Sequence, residues 1–167
     1  MDKKRLNIAL LISEFEDGYT RSLCEGAVSA AKELDANLFI FPGRYLEAQN
    51  YELYRTKYDY HFNSLFSYAT ASEYDAILIS MGTIAGNVDL ETKIEFLRQF
   101  KGDNIITISA KIEGYPSVCF DNSSGFYKGI SHLIEAHKCR RIGFVSGAMT
   151  SDDAMQRLDP YRRCLKD

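Results

Sequence analysis

The sequence predicts a doubly wound α/β fold built on a mostly parallel sheet, and three observations predict it. Residues 6–13, 76–80 and 104–109 are nearly continuous apolar runs, the pattern of strands covered by helices on both faces. Between them lie stretches whose apolar residues recur at spacings of three and four, the period of an amphipathic helix. Gly, Pro, Asp and Asn punctuate most changes from one pattern to the other. Strands that alternate with helices imply parallel β-α-β units rather than hairpins.

Taken in order, residues 6–13 read as a central strand and 13–18 as a loop. A helix follows over 19–34, with Leu23, Ala27, Ala30, Ala31 and Leu34 on one face and Asp35-Ala36-Asn37 closing it. Residues 37–41 make a second strand, which Pro42-Gly43 ends, and right-handed crossover places it beside the first. Residues 44–61 carry Tyr45, Tyr51, Tyr54, Tyr58 and Tyr60 among charged residues, five of the eleven tyrosines. Such rings suit a boundary with one apolar and one wet side: an interface, a rim over a ligand site, or an amphipathic surface helix. Leu65, Phe66 and Tyr68 fall in a helical stretch at 62–69, and 76–80 is a third buried strand with Met81-Gly82-Thr83 as its loop.

A helix over 90–100 presents Leu90, Ile94, Leu97 and Phe100, and Lys101-Gly102-Asp103 turns into a fourth strand at 104–109. A short strand at 117–120 is closed by Asp121 and Asn122. Ser123 and Ser124 can cap the next helix, whose apolar positions are Phe126, Ile130, Leu133 and Ile134. It ends near His137, with Lys138, Arg140 and Arg141 where a helix C-terminus favours positive charge. Residues 142–145 read as a strand buried on both faces, and 151–165 as a helix opened by Asp152 and Asp153. Pro160 either divides that helix or begins it after Asp159.

Composition limits the function. The chain has 167 residues, 46% of them hydrophobic, enough for a core, and a net charge of -3 with no concentrated basic face for nucleic acid. No run spans a bilayer, and residues 8–12 are too short an apolar run for a secretory signal, so the expected location is the cytoplasm. Cys24, Cys119, Cys139 and Cys164 are scattered without a CxxC pair, which reads as reduced, packed thiols; His137 with Cys139 reads as a solvated helix end. We therefore expect no metal site, no cofactor and no catalytic residues. GxGxxG, GxxxxGK[ST], GxSxG and HExxH are all absent. A phosphorylation receiver needs an acid at the end of the third strand, where Ser80 and Met81 stand. His61, His132 and His137 lack a paired nucleophile.

In open α/β sheets ligands sit beyond the carboxyl ends of the strands. The candidate site is therefore the loops 13–20, 80–85, 110–115 and 148–153, which hold Phe15, Tyr19, Thr20, Thr83, Lys111, Ser151 and Asp153. Arg157 reads as a solvated helical arginine or as a planar donor of paired hydrogen bonds to a carboxylate or to sugar hydroxyls.

One stretch says more. Asp121-Asn122, Gly125, His132-Leu133-Ile134, His137, Arg141-Ile142-Gly143-Phe144 and Gly147 follow in an order and spacing that resembles the effector-binding domains of the LacI/GalR family, relatives of periplasmic sugar-binding proteins. Residues 12–31 look like that family's first β-α unit, and 151–165 like its segment in which an arginine grips the ligand. The resemblance implies a type I periplasmic-binding-protein-like first lobe at 1–122 and the beginning of a second lobe at 123–167, with Asp121 and Asn122 at the hinge. It implies ligand contacts at Tyr19, Thr20 and Arg157, with Ser151 and Asp153 beside them. Ala136 and Pro160 stand where relatives commonly have glycine, and Ser109-Ala110-Lys111 where many have aspartate and arginine. The expected partners are a small polar ligand, sugar by family default, and a second copy in a homodimer, with no direct nucleic-acid or membrane contact. No helix-turn-helix headpiece precedes the first strand, so the expected output module is C-terminal: a GGDEF diguanylate cyclase, a histidine kinase or a transcription regulator. A flavodoxin-like α/β enzyme and a ligand-free dimerisation module are the competing classes.

Overall fold

The computed structural model describes residues 4–47, 58–70, 74–100, 104–147, 149 and 151–166. Five strands, β1 (Asn7–Ile12), β2 (Asn37–Pro42), β3 (Ala76–Ile79), β4 (Ile105–Ile108) and β5 (Ser117–Val118), form one sheet in the order β2-β1-β3-β4-β5. Every pair is parallel, with Ala9 opposite both Phe39 and Ile77. This is a doubly wound sheet with its change of direction between β1 and β3.

The alternation of β1 explains why it is central. Ala9 and Leu11 face a core shared with Ile77, Ile79, Ile105, Phe66, Phe96 and Leu97. Leu10 and Ile12 face the opposite core with Cys24, Ile108 and the inner side of α1 (Gly18–Glu33). A strand buried on both faces has no room for polar side chains, hence the unbroken apolar run.

The helices covering the first of these faces are a 3-10 helix at Asp59–Thr70, α2 (Met81–Ile84) and α3 (Leu90–Leu97). The expected loop at 81–83 is thus a single helical turn, begun by Ser80, whose carbonyl accepts from Ile84 N–H at 2.9 Å. Of the tyrosine-rich stretch, residues 48–57 lie outside the described residues. Tyr58 and Tyr60 are exposed beside the stacked ring of His61.

After β5 the chain makes α4 (Asn122–Glu135), then residues 136–151, then α5 (Asp152–Cys164), which packs along α4. Lys138, left-handed at φ +54°, reverses the chain two residues after Ala136, the C-cap of α4. Two expectations fail here. Residues 142–145 pair with no strand among the described residues, and Val145 is 96% exposed. A strand exists only against a partner, and here the stretch is held instead by Phe144, whose ring sits between Phe126 (5.2 Å) and Tyr161 (5.0 Å), and by the Tyr161 hydroxyl donating to Ile142 O at 2.8 Å. Nor does Pro160 divide the last helix or begin it. It is buried inside a continuous α5, lacking only the N–H that would reach the Gln156 carbonyl.

Candidate functional site

The carboxyl edge of the sheet is a row of small hydroxyls. β1, β3 and β4 are each followed by a serine, Ser13, Ser80 and Ser109, and all three are buried. Ser109 adopts φ +57° and donates its N–H to Val118 O at 2.9 Å, which steers the chain toward β5. Gly82 permits this, since a Cβ there would lie 2.6 Å from Ser109 Cβ and 2.8 Å from its carbonyl oxygen. Fixed in this way, the Ser109 hydroxyl shares a hydrogen bond of 2.8 Å with the Tyr19 hydroxyl.

Tyr19 is brought there by the start of α1. Asp17 caps that helix by accepting from Thr20 N–H at 2.8 Å. Burial works against the Asp17 charge, but hydrogen bonds from Thr20 and from the backbone around Tyr19 outweigh it and hold the carboxyl below its ordinary value. The Tyr19 ring then meets Phe120 edge to face, with centroids 6.1 Å apart. Phe120 leads directly into Asp121, which caps α4 by accepting from Ser124 N–H at 3.0 Å. That bond, with help from the Ser124 hydroxyl, depresses the Asp121 carboxyl.

Across from this turn, α5 supplies two charges. Asn122 Nδ2 donates to Asp153 Oδ1 at 2.8 Å, while Arg157 donates from Nε (3.2 Å) and Nη2 (3.0 Å) to Asn122 Oδ1. Arg157 Nη2 lies 4.0 Å from Asp153 Oδ2, an i, i+4 pair on one helix face. Tyr19, Phe120, Asp121, Asn122, Phe126, Asp153 and Arg157 line a cleft of about 860 Å³ that continues along α4 past Gly125, Gly129, Ile130 and Leu133. Its walls are chiefly apolar, with the polar groups gathered at the end near Asn122.

Of the residues expected to meet a ligand or form the hinge, Tyr19, Asp121, Asn122, Asp153 and Arg157 therefore converge. Ser151 caps α5, accepting from Ala154 N–H, and does not line the cleft. Thr20 is fully buried under the first turn of α1. The Thr83 hydroxyl turns back onto Ser80, 3.1 Å from its carbonyl oxygen and 3.0 Å from its hydroxyl. Lys111 is exposed between buried Ala110 and Ile112, and Phe15 is exposed on the β1 loop, where Glu14 and Glu16 lie 3.6 and 3.7 Å from Arg44. Three contributors escaped the sequence reading. Ser109 entered it only as a departure from a family pattern, Phe120 as a strand residue and Phe126 as a helix core position; only tertiary packing turns them toward Tyr19 and the cleft.

Among the described residues no group of three or more His, Cys, Asp and Glu is placed to hold a metal ion. His132 and His137 do pair on the outside of α4, Nε2 to Nε2 at 3.1 Å. All four cysteines are free thiols, Cys24 and Cys164 buried; burial, and then the Asp17 charge, push the Cys24 thiol up. No described helix is long and apolar enough to cross a membrane.

No family model matches the chain, and neither does any curated protein. Solved structures do. A LacI family transcriptional regulator from Mycobacterium smegmatis superposes with a TM-score of 0.72 at 19% identity, covering 95% of this chain and 51% of that one. The lactose repressor bound to the anti-inducer ONPF gives 0.72 at 15%, covering 96% and 54%. A periplasmic solute-binding protein of an ABC transporter from Actinobacillus succinogenes, with bound D-allose, gives 0.67 at 18%, covering 97% and 54%. The chain spans about half the length of these structures, which are regulators and binding proteins rather than enzymes. The fold is that of the LacI-type effector-binding domains and of their periplasmic-binding-protein relatives, as the pattern around Asp121 to Gly147 implied.

Proposed function

We propose that this chain is the ligand-sensing part of a regulatory or signalling protein, which closes on a small polar molecule and passes the closure to an attached output domain. One observation carries the reading: Tyr19 from the first β-α unit, Asn122 from the crossing after β5, and Asp153 and Arg157 from α5 meet around one cleft. Groups from separate elements that converge on one cavity suit a site whose halves move relative to each other. In this reading residues 1–122 form a first lobe, 123–167 open a second, and Asp121 and Asn122 are the hinge. Arg157 and Asp153 grip polar groups of the ligand while Tyr19 and Phe120 present ring faces to it. Phe15, Thr20, Thr83, Lys111 and Ser151 would come to the ligand only through rearrangement of the segments that hold them.

The site works by binding and needs no chemical step. A ligand that holds the closed form better than the open one shifts their populations by its difference in affinity. The output, by analogy with related sensors, is a C-terminal diguanylate cyclase, histidine kinase or transcription-regulating module, and the working unit is a cytoplasmic homodimer. The test is a thermal-shift screen of the full-length parent protein against sugars, nucleosides and amino acids. Stabilisation that rises with ligand concentration supports the reading, since saturation a hundredfold above Kd adds about 2.7 kcal/mol. Turnover of a compound without stabilisation by any would transfer the chain to the α/β enzymes.

A further inference from the structure

We propose that His132 and His137 form a binding site for a divalent transition-metal ion at the C-terminal end of α4. Neither residue lines the cleft, and the inference does not rest on the sensor reading above.

The backbone brings the pair together. Positions five apart on a regular α-helix point about 140° away from each other, so the spacing in sequence gives no hint of a shared site. The end of α4 departs from that geometry. Ala136 N–H keeps the ordinary bond to His132 O at 2.9 Å, but His137 N–H reaches the same oxygen at 3.4 Å, and Cys139 N–H reaches Leu133 O at 3.0 Å. A turn widened to a bond between residues five apart is of the π type, and it brings such residues to one side of the helix. Left-handed Lys138 then carries the chain away from them.

The distance between the rings fits one ion. The two Nε2 atoms lie 3.1 Å apart, and the rings cross at 80° with centroids 4.8 Å apart. Two imidazoles bound at about 2.0–2.1 Å to neighbouring positions of one metal stand roughly 2.8–3.4 Å apart, nitrogen to nitrogen. In the metal-free pair one of the facing nitrogens carries the proton that the other accepts. When the ion enters, that proton moves to Nδ1 of its own ring, and two neutral imidazoles present their Nε2 lone pairs. Both side chains are exposed, so an ion reaches them from solvent.

Ligand chemistry narrows the ion. Imidazole nitrogen suits Zn2+, Ni2+ and Cu2+, whereas Mg2+ and Ca2+ take oxygen. Among the described residues no third His, Cys, Asp or Glu joins the pair. Water or a group from outside the chain therefore completes the shell, and the site is open and exchangeable, unlike a closed structural zinc centre. The negative end of α4 favours a cation at this place. Lys138, Arg140 and Arg141 oppose it, but all three are exposed and screened by salt, and exposed Glu135 works in the other direction.

The experiment titrates Ni2+ and Zn2+ into the full-length protein with its thiols kept reduced, measuring affinity by calorimetry and imidazole signals by NMR. Ni2+ added below one equivalent should broaden the ring signals of His132 and His137 together and spare those of His61, the third histidine of this sequence. Mg2+ should change neither. His132→Gln and His137→Gln should each weaken Ni2+ binding at least about tenfold, because a direct ligand contributes more than an outer-shell partner, whose loss costs about 10–100-fold. Both positions are exposed, so the metal-free melting temperature should stay nearly the same. Cys139→Ser should leave the affinity unchanged. Signals of His132 and His137 that stay sharp in the wild type overturn the inference, as do single variants that keep wild-type affinity, the outcome expected of two independent imidazoles. Binding lost with Cys139→Ser overturns it too. Each of these results leaves the sensor reading standing.

Discussion

At the scale of single residues, the candidate site depends on an absence. Gly82 has no side chain where Ser109 approaches within 2.6 Å of its would-be Cβ, and that approach aims the Ser109 hydroxyl at Tyr19. Gly82→Ala should cost roughly 1–3 kcal/mol by overpacking, read as a lower midpoint in urea, and should weaken ligand binding as Tyr19 loses its partner. A second residue-scale prediction concerns acid. Asp17, Asp89 and Asp121 start α1, α3 and α4, each with its carboxyl held below the ordinary value. For Asp89 and Asp121 the main cause is a backbone N–H, that of Thr92 and Ser124; for Asp17 the hydrogen bonds overcome burial. A folded-state value below the unfolded one means the unfolded chain binds more protons. The stabilisation is therefore complete above the unfolded value, about 4, and is lost as pH falls through the folded values. The melting temperature should drop below about pH 4, and the triple change of these aspartates to asparagine, which caps comparably, should flatten that drop in a series of melts.

At the scale of elements, β1 anchors the structure because both its faces are buried. Leu11→Ala, in the core with Ile79 and Leu97, should cost about 2–5 kcal/mol by chemical denaturation, whereas a change at exposed Val28 on α1 should cost little. This contrast was legible in the sequence. The apolar run at 6–13 marked a strand covered twice, and the spacing of Leu23 and Ala27 marked the helix face beneath it. The end of α1 was also legible, because Asp35 takes the left-handed conformation that aspartate tolerates and lets Ala36 N–H return to Ala31 O at 2.9 Å. Short-range rules failed where long-range contacts decide. Met81-Gly82-Thr83 looks like a loop by composition yet closes a helical turn on Ser80. Pro160 looks like a boundary yet lies inside α5, where its ring is buried and one missing hydrogen bond is tolerated. The run 142–145 has a strand's composition but pairs with no strand among the described residues, since pairing depends on a neighbour that composition cannot supply.

At the scale of the molecule, the sheet order β2-β1-β3-β4-β5 runs outward from β1 in both directions, and the helices lie on opposite faces of the sheet, α1 on one, α2 and α3 on the other. That order places the loops after β1, β3 and β4 on one edge, where a ligand site was expected. The candidate site was only half legible. Tyr19, Asp153 and Arg157 could be named from the family-like pattern, but the bridge that Asn122 makes between Asp153 and Arg157 could not, because Asn122 and Arg157 are 35 residues apart. The most direct test of the account compares wild-type and Arg157→Ala full-length protein by calorimetry, using the sugar or other metabolite that stabilises the wild type in the screen. Arg157 is exposed enough that its loss should leave the ligand-free melting temperature nearly unchanged. The account predicts binding weakened at least about tenfold, the loss of a charge-assisted hydrogen bond. Equal affinity in a folded Arg157→Ala protein would contradict it.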